Sequence, residues 1–248
     1  MPTTFPCPVC SAAMAPFDTA IVLGRFPAEY HRCPECGVVA TRETPWLAEA
    51  YDSAIHAADI GLLRRARRLS AMTSAIIRFE GLKSGRFLDW AAGYGVFTQA
   101  MRDKGFDFWQ HDDFASPVFA TSFKDDGEGR YDMVTAFEVL EHLAEPRAEL
   151  AHLADRTDRI LFTTSLLPDP APKISDWWYY MPGVGQHITF HTVDSLRRVG
   201  EHLGYELTSN GGNWHLFHRG PIDVRTKAVL SPVILSAGRS ARKLLRRG

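Results

Sequence analysis

The chain has 248 residues, of which 45% are hydrophobic, and a formal net charge of −1. This length allows one large domain or two unequal ones, and the balanced charge gives no bulk electrostatic argument for nucleic-acid binding. No stretch reaches the roughly 20 apolar residues of a membrane-spanning helix. The opening MPTTFPCPVC lacks the basic and apolar regions of a secretory signal, so we expect a cytoplasmic protein.

All four cysteines lie near the N-terminus, in two Cys-x-x-Cys pairs. Each pair presents two thiolates to one metal ion, and four thiolates complete a tetrahedral zinc site with no open position. We therefore predict a structural zinc ribbon over residues 1–42, with a pair of strands between the two knuckles. The predicted ligands are Cys7, Cys10, Cys33 and Cys36.

Residues 43–84 follow the ribbon and carry helical periodicity without an internal proline between Trp46 and Phe79. We expect a helical lid or linker here. Four of its side chains are candidates to cover a substrate pocket: Tyr51, Asp59, Arg64 and Arg65.

Short apolar runs alternate with helical stretches across residues 85–220, and this alternation predicts βαβ units. The expected fold is therefore α/β: a Rossmann-like, mostly parallel sheet with helices on both faces. The predicted strands are 87–90, 106–111, 131–137 and 159–164, the predicted helices are 96–104, 146–153 and 192–203, and a hairpin of 205–209 and 213–218 closes the domain.

The most informative stretch is FLDWAAGYG, residues 87–95, where an apolar strand ends in an acid and a loop of small residues opens a helix. Such a loop allows the backbone to approach a ligand at the carboxyl end of a strand. Asp112 follows the second strand, where a carboxylate accepts hydrogen bonds from ribose hydroxyls. No P-loop lysine pattern is present, which argues against a nucleoside triphosphate.

Residues 85–217 resemble class I S-adenosylmethionine-dependent methyltransferases in two segments, FLDWAAGYGVF and YDMVTAFEVLEHL, and in Asp112. With its four-cysteine ribbon, the chain resembles bacterial sugar and natural-product methyltransferases. The resemblance implies S-adenosylmethionine as cofactor and, as methyl acceptor, a sugar, a nucleotide-sugar or polysaccharide precursor, or another natural product. The cofactor-binding residues that it implies are Asp89, Ala91, Gly93, Tyr94, Gly95, Asp112, Phe137 and Glu138.

The chain departs from the family pattern in two places. Ala91 stands where the family usually has its first glycine, and alanine is tolerable there if its φ is negative. The segment before Tyr131 lacks an obvious acidic adenine-binding turn, for which Asp125 or Asp126 is a candidate substitute.

Two histidines are the candidate catalytic residues, because a general base assists methyl transfer to a hydroxyl or an acidic carbon. His187 lies in a GxH segment that similar methyltransferases share, and its alternative role is to bond backbone in a loop. His142 closes an EVLEH string that resembles one used by quinone O-methyltransferases and small-RNA 2′-O-methyltransferases to hold a divalent metal. That metal would lie at Glu138, Glu141 and His142, with His187 as an extra ligand, although many metal-free relatives carry the same string.

The aromatic run DWWYY, residues 176–180, suits a sugar ring or planar substrate, or else packs as a lid. The basic C-terminal tail, 221–248, is a candidate contact for a membrane surface or an acidic partner, with simple disorder or docking on the protein's own surface as the alternatives.

Two other functions stay open. An RNA methyltransferase would grip RNA with its ribbon, but the ribbon offers only Arg25, Arg32 and Arg42 as basic residues. A non-catalytic binding module would use the ribbon and the tail for protein contacts.

Overall fold

The computed structural model of the chain describes residues 5–51 and 61–231. The N-terminal part is a small antiparallel sheet that begins with β1 (Ala15–Val22) and β2 (Phe26–Arg32). These two strands fill the gap between the cysteine pairs, as the sequence predicts. The sheet continues with β3 (Val39–Thr41), which pairs with β2.

Two helices follow the ribbon. The first, α1 (Leu47–Ala50), is a single turn, and the second, α2 (Leu62–Phe79), is long. Asp59, a candidate lid residue, lies outside the described residues.

The large domain has the predicted α/β architecture. Its sheet has the order β5-β4-β6-β7-β10-β9; the first four strands are parallel, and β10 and β9 are antiparallel to their neighbours. Its elements are β4 (Arg86–Trp90), α3 (Val96–Arg102), β5 (Asp107–His111), β6 (Met133–Phe137), α4 (Pro146–Ala154), β7 (Arg159–Thr163), β8 (Thr189–Phe190), α5 (Val193–His202), β9 (Glu206–Ser209), β10 (Trp214–His218) and α6 (Val224–Val229). The two-residue β8 leaves this domain and joins the ribbon sheet beside β3.

Both faces of the large sheet are covered, because successive side chains of a strand point to opposite faces. On β4, Phe87 packs among residues of α2 and α3, whereas Leu88 packs among residues of α4 and α5. The ribbon, through Val9 and Val38 among others, joins the second of these two cores. The near-continuous apolar strands of the sequence therefore reflect burial on both faces.

Residues 221–230 lie in the segment that the sequence assigns to the basic tail, but two of their apolar side chains enter the core. Ile222 and Leu230 are buried with the α2 and α3 residues. Residues 232–248, which carry most of the predicted tail, are outside the described range. Among the described helices, none is both long and apolar enough to cross a membrane.

Candidate active site

A cleft of about 280 Å³ opens at the carboxyl ends of β4 and β5. This is where ligands bind in open α/β sheets. It is lined by Ala92, Gly93, Gln110, His111, Asp112, Asp113, Phe114, Ala115, Ser116, Pro117, Lys124 and Asp125. Two of the predicted cofactor-binding residues, Gly93 and Asp112, therefore face one cleft.

Asp112 joins the two loops that form this cleft. One carboxylate oxygen accepts the backbone N–H of Gly93 at 2.7 Å, and the other accepts those of Phe114 and Ala115 at 2.9 and 2.6 Å. An ionised carboxylate has about four lone-pair sites, so three such bonds leave acceptor capacity for a ligand hydroxyl. Asp112 thus both shapes the cleft and remains available to it.

The loop after β4 needs the backbone freedom of glycine at Gly95, where φ is +78°. A Cβ atom there would collide with the Gln110 side chain and with the carbonyl oxygen of Phe119. Ala91 also has a positive φ, +57°, so the condition for an unstrained alanine is not met. The left-handed conformation costs an alanine roughly 1–2 kcal/mol, so the loop after β4 holds a strained residue next to the cleft.

Asp89 does not line the cleft, contrary to the expectation for a cofactor-binding residue. It is 3% exposed, and its two carboxylate oxygens accept the hydroxyls of Thr98 and Thr135 at 3.0 and 2.8 Å. Burial raises the pKa of Asp89 to about 7. Its observed position ties β4 to α3 and β6 beneath the cofactor loop.

The substitution Asp89→Asn is expected to change how stability depends on pH. Between pH 4 and 7 the folded chain keeps a proton on Asp89 that the unfolded chain loses, so wild-type stability falls as pH rises through this window. A shift of about three pKa units corresponds to about 4 kcal/mol. Urea unfolding from pH 5 to 8 should therefore show the free-energy difference between the variant and the wild type moving in favour of the variant up to about pH 7 and levelling off above it; a constant difference would contradict the burial argument.

Three more of the predicted cofactor-binding residues, Tyr94, Phe137 and Glu138, are not among the residues that line the cleft. Tyr94 accepts the N–H groups of Val118 and Phe119 with its carbonyl oxygen, at 3.0 and 2.9 Å. Phe137 packs edge-on against Phe97, with ring centres 4.9 Å apart, in the α2–α3 core. Glu138 has a φ of +55° directly after β6, which is backbone strain of a kind that clusters at functional sites.

Asp125 is not a free acid for adenine. Its carboxylate takes two bonds from Arg156, at 2.7 and 2.8 Å, and one from the hydroxyl of Tyr131 at 2.6 Å. These partners outweigh partial burial and lower the pKa of Asp125 to about 2. Asp126 accepts the N–H of Glu128 in an exposed turn. Asp125 therefore braces the loop that borders the cleft, through its bonds to Arg156 and Tyr131.

A second cluster lies beyond β6, where Glu141, His142 and His187 bring their ligand atoms within 4.8 Å of one another. Glu141 is fully buried, one of its oxygens has no hydrogen-bond partner, and the other accepts the Tyr179 hydroxyl. Burial raises the pKa of Glu141 to about 8. Glu138, predicted as part of the same set, is near the group, since the Tyr179 hydroxyl is 3.4 Å from its carboxylate.

The hydrogen bond of His187 determines its tautomer. Its Nδ1 is 2.7 Å from the carbonyl oxygen of Tyr179, which can only accept, so Nδ1 carries the proton and Nε2 has a free lone pair. Burial lowers the pKa of His187 to about 4 and that of His142 to about 3. Both imidazoles are therefore neutral at physiological pH.

Tyr51, at the end of the first described segment, bridges the cleft and the histidines. Its ring stacks on Phe114 with centres 4.7 Å apart, and its hydroxyl is 3.0 Å from Nδ1 of His142. Phe114 in turn donates its N–H to Asp112. The sequence names Tyr51 as a lid residue, but nothing in it indicates a partner 91 positions away.

The four cysteines also converge. The Sγ atoms of Cys7 and Cys36 are 3.6 Å apart, those of Cys10 and Cys33 are 3.4 Å apart, and all four lie within 4.8 Å of one another. Zinc–sulfur bonds of about 2.3 Å place tetrahedral ligands about 3.8 Å apart. The chemistry and spacing of these donors thus fit one tetrahedral ion.

The profile of the methyltransferase domain family matches residues 63–210, more than half of the chain. The chain belongs to this family. The matched residues include the loop after β4, Asp112, the Glu141–His142 pair and His187. A comparison with curated protein sequences finds no match.

The chain also matches solved methyltransferase structures at low identity. An O-methyltransferase family protein from Burkholderia thailandensis is 15% identical, with a TM-score of 0.49 over 64% of this chain and 57% of that one. Magnesium protoporphyrin IX methyltransferase from Synechocystis PCC 6803, solved with bound SAH, is 14% identical, with a TM-score of 0.45 over 70% of this chain and 93% of that one. The chain spans less than two thirds of the Burkholderia protein.

Proposed function

We propose that the chain transfers a methyl group from S-adenosylmethionine to a small-molecule acceptor. The observation that supports the proposal is the contact chain from Asp112 through Phe114 and Tyr51 to His142, which connects the cleft to the two histidines. The cofactor supplies a methyl group on a sulfonium. The protein then has to position the acceptor and exclude water.

In this proposal the backbone of Ala92 and Gly93 and the carboxylate of Asp112 hold the cofactor. Asp112→Ala removes the acceptor for ribose hydroxyls and also releases three N–H groups that shape the loop. We expect calorimetry to show an S-adenosylhomocysteine affinity at least about tenfold weaker, because a hydrogen bond to a charged group contributes roughly 1.5–3 kcal/mol.

Asp107→Ala is the matched control, since Asp107 is an exposed acid at the opposite end of β5. It should bind the cofactor product as the wild type does. If Asp112→Ala also binds with unchanged affinity, the cofactor does not use this cleft.

On the acceptor side, we assign the role of general base to His187. Its Nε2 lone pair is free, its Nδ1 proton is fixed by the carbonyl of Tyr179, and its imidazole is neutral. A base in this state accepts a proton from an acceptor hydroxyl as the oxygen attacks the methyl carbon.

The same cluster also suits a divalent metal, and this is the competing role for His187. Carboxylate and imidazole donors are those that transition metals accept, and the unpartnered oxygen of Glu141 is a ready ligand atom. A metal there would lower the pKa of the acceptor hydroxyl and orient it. Metal content measured on the intact protein separates the two roles: one zinc per chain, held by the cysteines, leaves the histidines to act as base.

The acceptor class that we favour is a sugar or a nucleotide-sugar. Trp178 is 72% exposed, and its ring contacts Tyr179, which in turn contacts the ring of His187. An exposed indole face binds sugar and planar rings well. Against RNA, Arg25 of the ribbon forms an ion pair with Glu49 and is not left for phosphate.

Transfer of a radiolabelled methyl group to a panel of nucleotide-sugars and to total RNA would test the acceptor class. We expect a nucleotide-sugar to be labelled. Labelling of RNA alone, with binding that weakens steeply as the salt concentration rises, would instead support an RNA methyltransferase.

A further inference from the structure

The segment that carries His187 is held by the ribbon as well as by the large domain. We define the His187 loop as residues 181–190. Its end, β8, pairs with β3 through Phe190 opposite Val39 and Thr189 opposite Ala40. The ladder extends one step further, because the N–H of Thr41 donates to the carbonyl of Ile188 at 3.1 Å. The ribbon sheet therefore reaches the residue next to His187.

The other half of the His187 loop has its own ties to the N-terminal region. The indole N–H of Trp46 donates to the carbonyl of Gly185 at 2.9 Å, and the Gln186 amide donates to the carbonyl of Ala50 at 2.7 Å. The N–H of Leu23, in the β1–β2 turn, donates to the carbonyl of Pro182 at 3.0 Å. These bonds come from three separate points along the first 51 residues.

An aromatic core fills the space between the ribbon sheet and the His187 loop. Phe190 packs against Tyr30 of β2 and against Tyr180, with ring centres 6.3 and 4.6 Å apart. Trp46 belongs to the same core, and all four side chains are at most 1% exposed. Buried aromatic rings dominate the energy of such contacts, so the ribbon and the loop form one packed unit.

A cysteine knuckle is also bonded to Thr192, two residues after the loop. The hydroxyl of Thr192 donates to the carbonyl of Cys36 at 2.6 Å, and a Cβ at Gly37 would lie 3.1 Å from the Thr192 methyl group. The large domain holds the loop as well, through the N–H of Ile188 to the carbonyl of Glu141 at 2.8 Å and the Thr189 hydroxyl to the carbonyl of Leu143 at 2.7 Å. His187 is thus held between the two units.

We propose that the four-cysteine ribbon positions His187 and forms one wall of the acceptor site, with Trp46 and Gly185 as positioning residues. The proposal rests on the function proposed above. It predicts that damage to the ribbon–loop contact impairs the acceptor side while cofactor binding persists, because Asp112 and Gly93 lie in a different cleft.

The test compares two glycines of similar backbone conformation. Gly185 has a φ of +78°, and a Cβ there would lie 2.9 Å from Val22 and 3.1 Å from Trp46, whereas Gly105 has a φ of +82° and nothing within 4 Å. Alanine therefore strains both backbones, but only Gly185→Ala pushes the His187 loop away from the ribbon. A second pair is Trp46→Phe, which removes the indole N–H bonded to Gly185, and Trp109→Phe, which removes an indole N–H bonded to Asp107 on β5.

Three measurements on the full-length, zinc-loaded chain decide the question: hydrogen exchange of the 181–190 peptide, S-adenosylhomocysteine affinity, and methyl transfer to the acceptor found by the panel. Gly185→Ala and Trp46→Phe should speed exchange in this peptide and lower kcat by up to about 10²-fold, the cost of a misplacement of about 1 Å. Cofactor affinity should stay within about twofold.

The two controls should match the wild type in all three measurements. Unchanged exchange in Gly185→Ala and Trp46→Phe, or equal loss of kcat in the controls, would overturn the proposal. The exchange measurement needs neither cofactor nor acceptor. If the wild type fails to bind S-adenosylhomocysteine, the proposed function fails, and a fast-exchanging loop in the variants still establishes the mechanical link.

Discussion

His187→Gln is expected to lower kcat by about 10²–10⁴-fold, the usual contribution of a general base, and to leave cofactor affinity unchanged. Glutamine keeps a polar side chain of similar reach but has no basic nitrogen. The cleft that holds Asp112 does not include His187, which is why binding should survive. Calorimetry with S-adenosylhomocysteine and radiolabelled methyl transfer together measure the split.

The pH profile of the wild type tests the same assignment. Because burial lowers the pKa of His187 to about 4, the base stays unprotonated from pH 8 down to about 5. Activity limited by this group should be flat over that range and fall only below it. A midpoint near 6.5 would mean that another group, or an exposed histidine, limits the reaction.

His142→Gln distinguishes the base from the metal ligand. If the cluster holds a metal, His142→Gln and His187→Gln should both lose one metal ion per chain and nearly all activity. If His187 is the base, the metal content of both variants equals that of the wild type. In that case His142→Gln keeps more activity than His187→Gln, since it removes a bond to Tyr51 and a ring contact with His187 but not the base.

The strands β4, β6 and β7 of the large domain were predictable because nearly all of their residues are buried and so read as apolar runs. The first predicted strand, 87–90, differs from β4 by one residue. The third predicted strand begins too early, at Tyr131 rather than Met133. The carboxylate of Asp132 accepts the N–H of Arg86 at 2.9 Å, while Tyr131 makes only an isolated bridge to Thr157.

Motifs also predicted a candidate site, but they did not say which carboxylates remain available to a ligand. Asp89 lies near the end of β4, and Asp112 follows β5 of the same sheet. The hydroxyls of Thr98 and Thr135 occupy the oxygens of Asp89, and Arg156 occupies those of Asp125, from 31 positions away. Such pairings depend on the assembled fold, and no local pattern encodes them.

The link between the ribbon and the His187 loop was hidden for a related reason. A strand as short as β8 gives no periodic signal, and its partner β3 lies about 150 positions earlier in the chain. The cysteine spacing predicts a closed metal site, which by itself suggests only a stabilising role. Position in the fold, rather than metal chemistry, connects the ribbon to the His187 loop.

Removing the ribbon metal is expected to expose all four thiols of the chain to a thiol reagent such as DTNB. Three of the four cysteines are buried and none is in a disulfide. A structural zinc should keep them unreactive, because thiolates bound to the ion are neither free nucleophiles nor accessible. The chain has no fifth cysteine, so the count after chelation should be four, with about one zinc released per chain.

Cys10→Ala sharpens this result. Cys10 is the most exposed of the four, so its removal costs little packing but leaves three ligands. We expect this variant to bind zinc far more weakly and to show three reactive thiols without a chelator, since structural zinc contributes about 10–16 kcal/mol in small zinc domains.

Four freely reactive thiols in the untreated wild type would exclude a bound ion. A wild-type chain with no reactive thiol until a reductant is added would instead indicate two disulfides. The distances of 3.4 and 3.6 Å between the paired sulfur atoms argue against that state, because a disulfide requires about 2.05 Å.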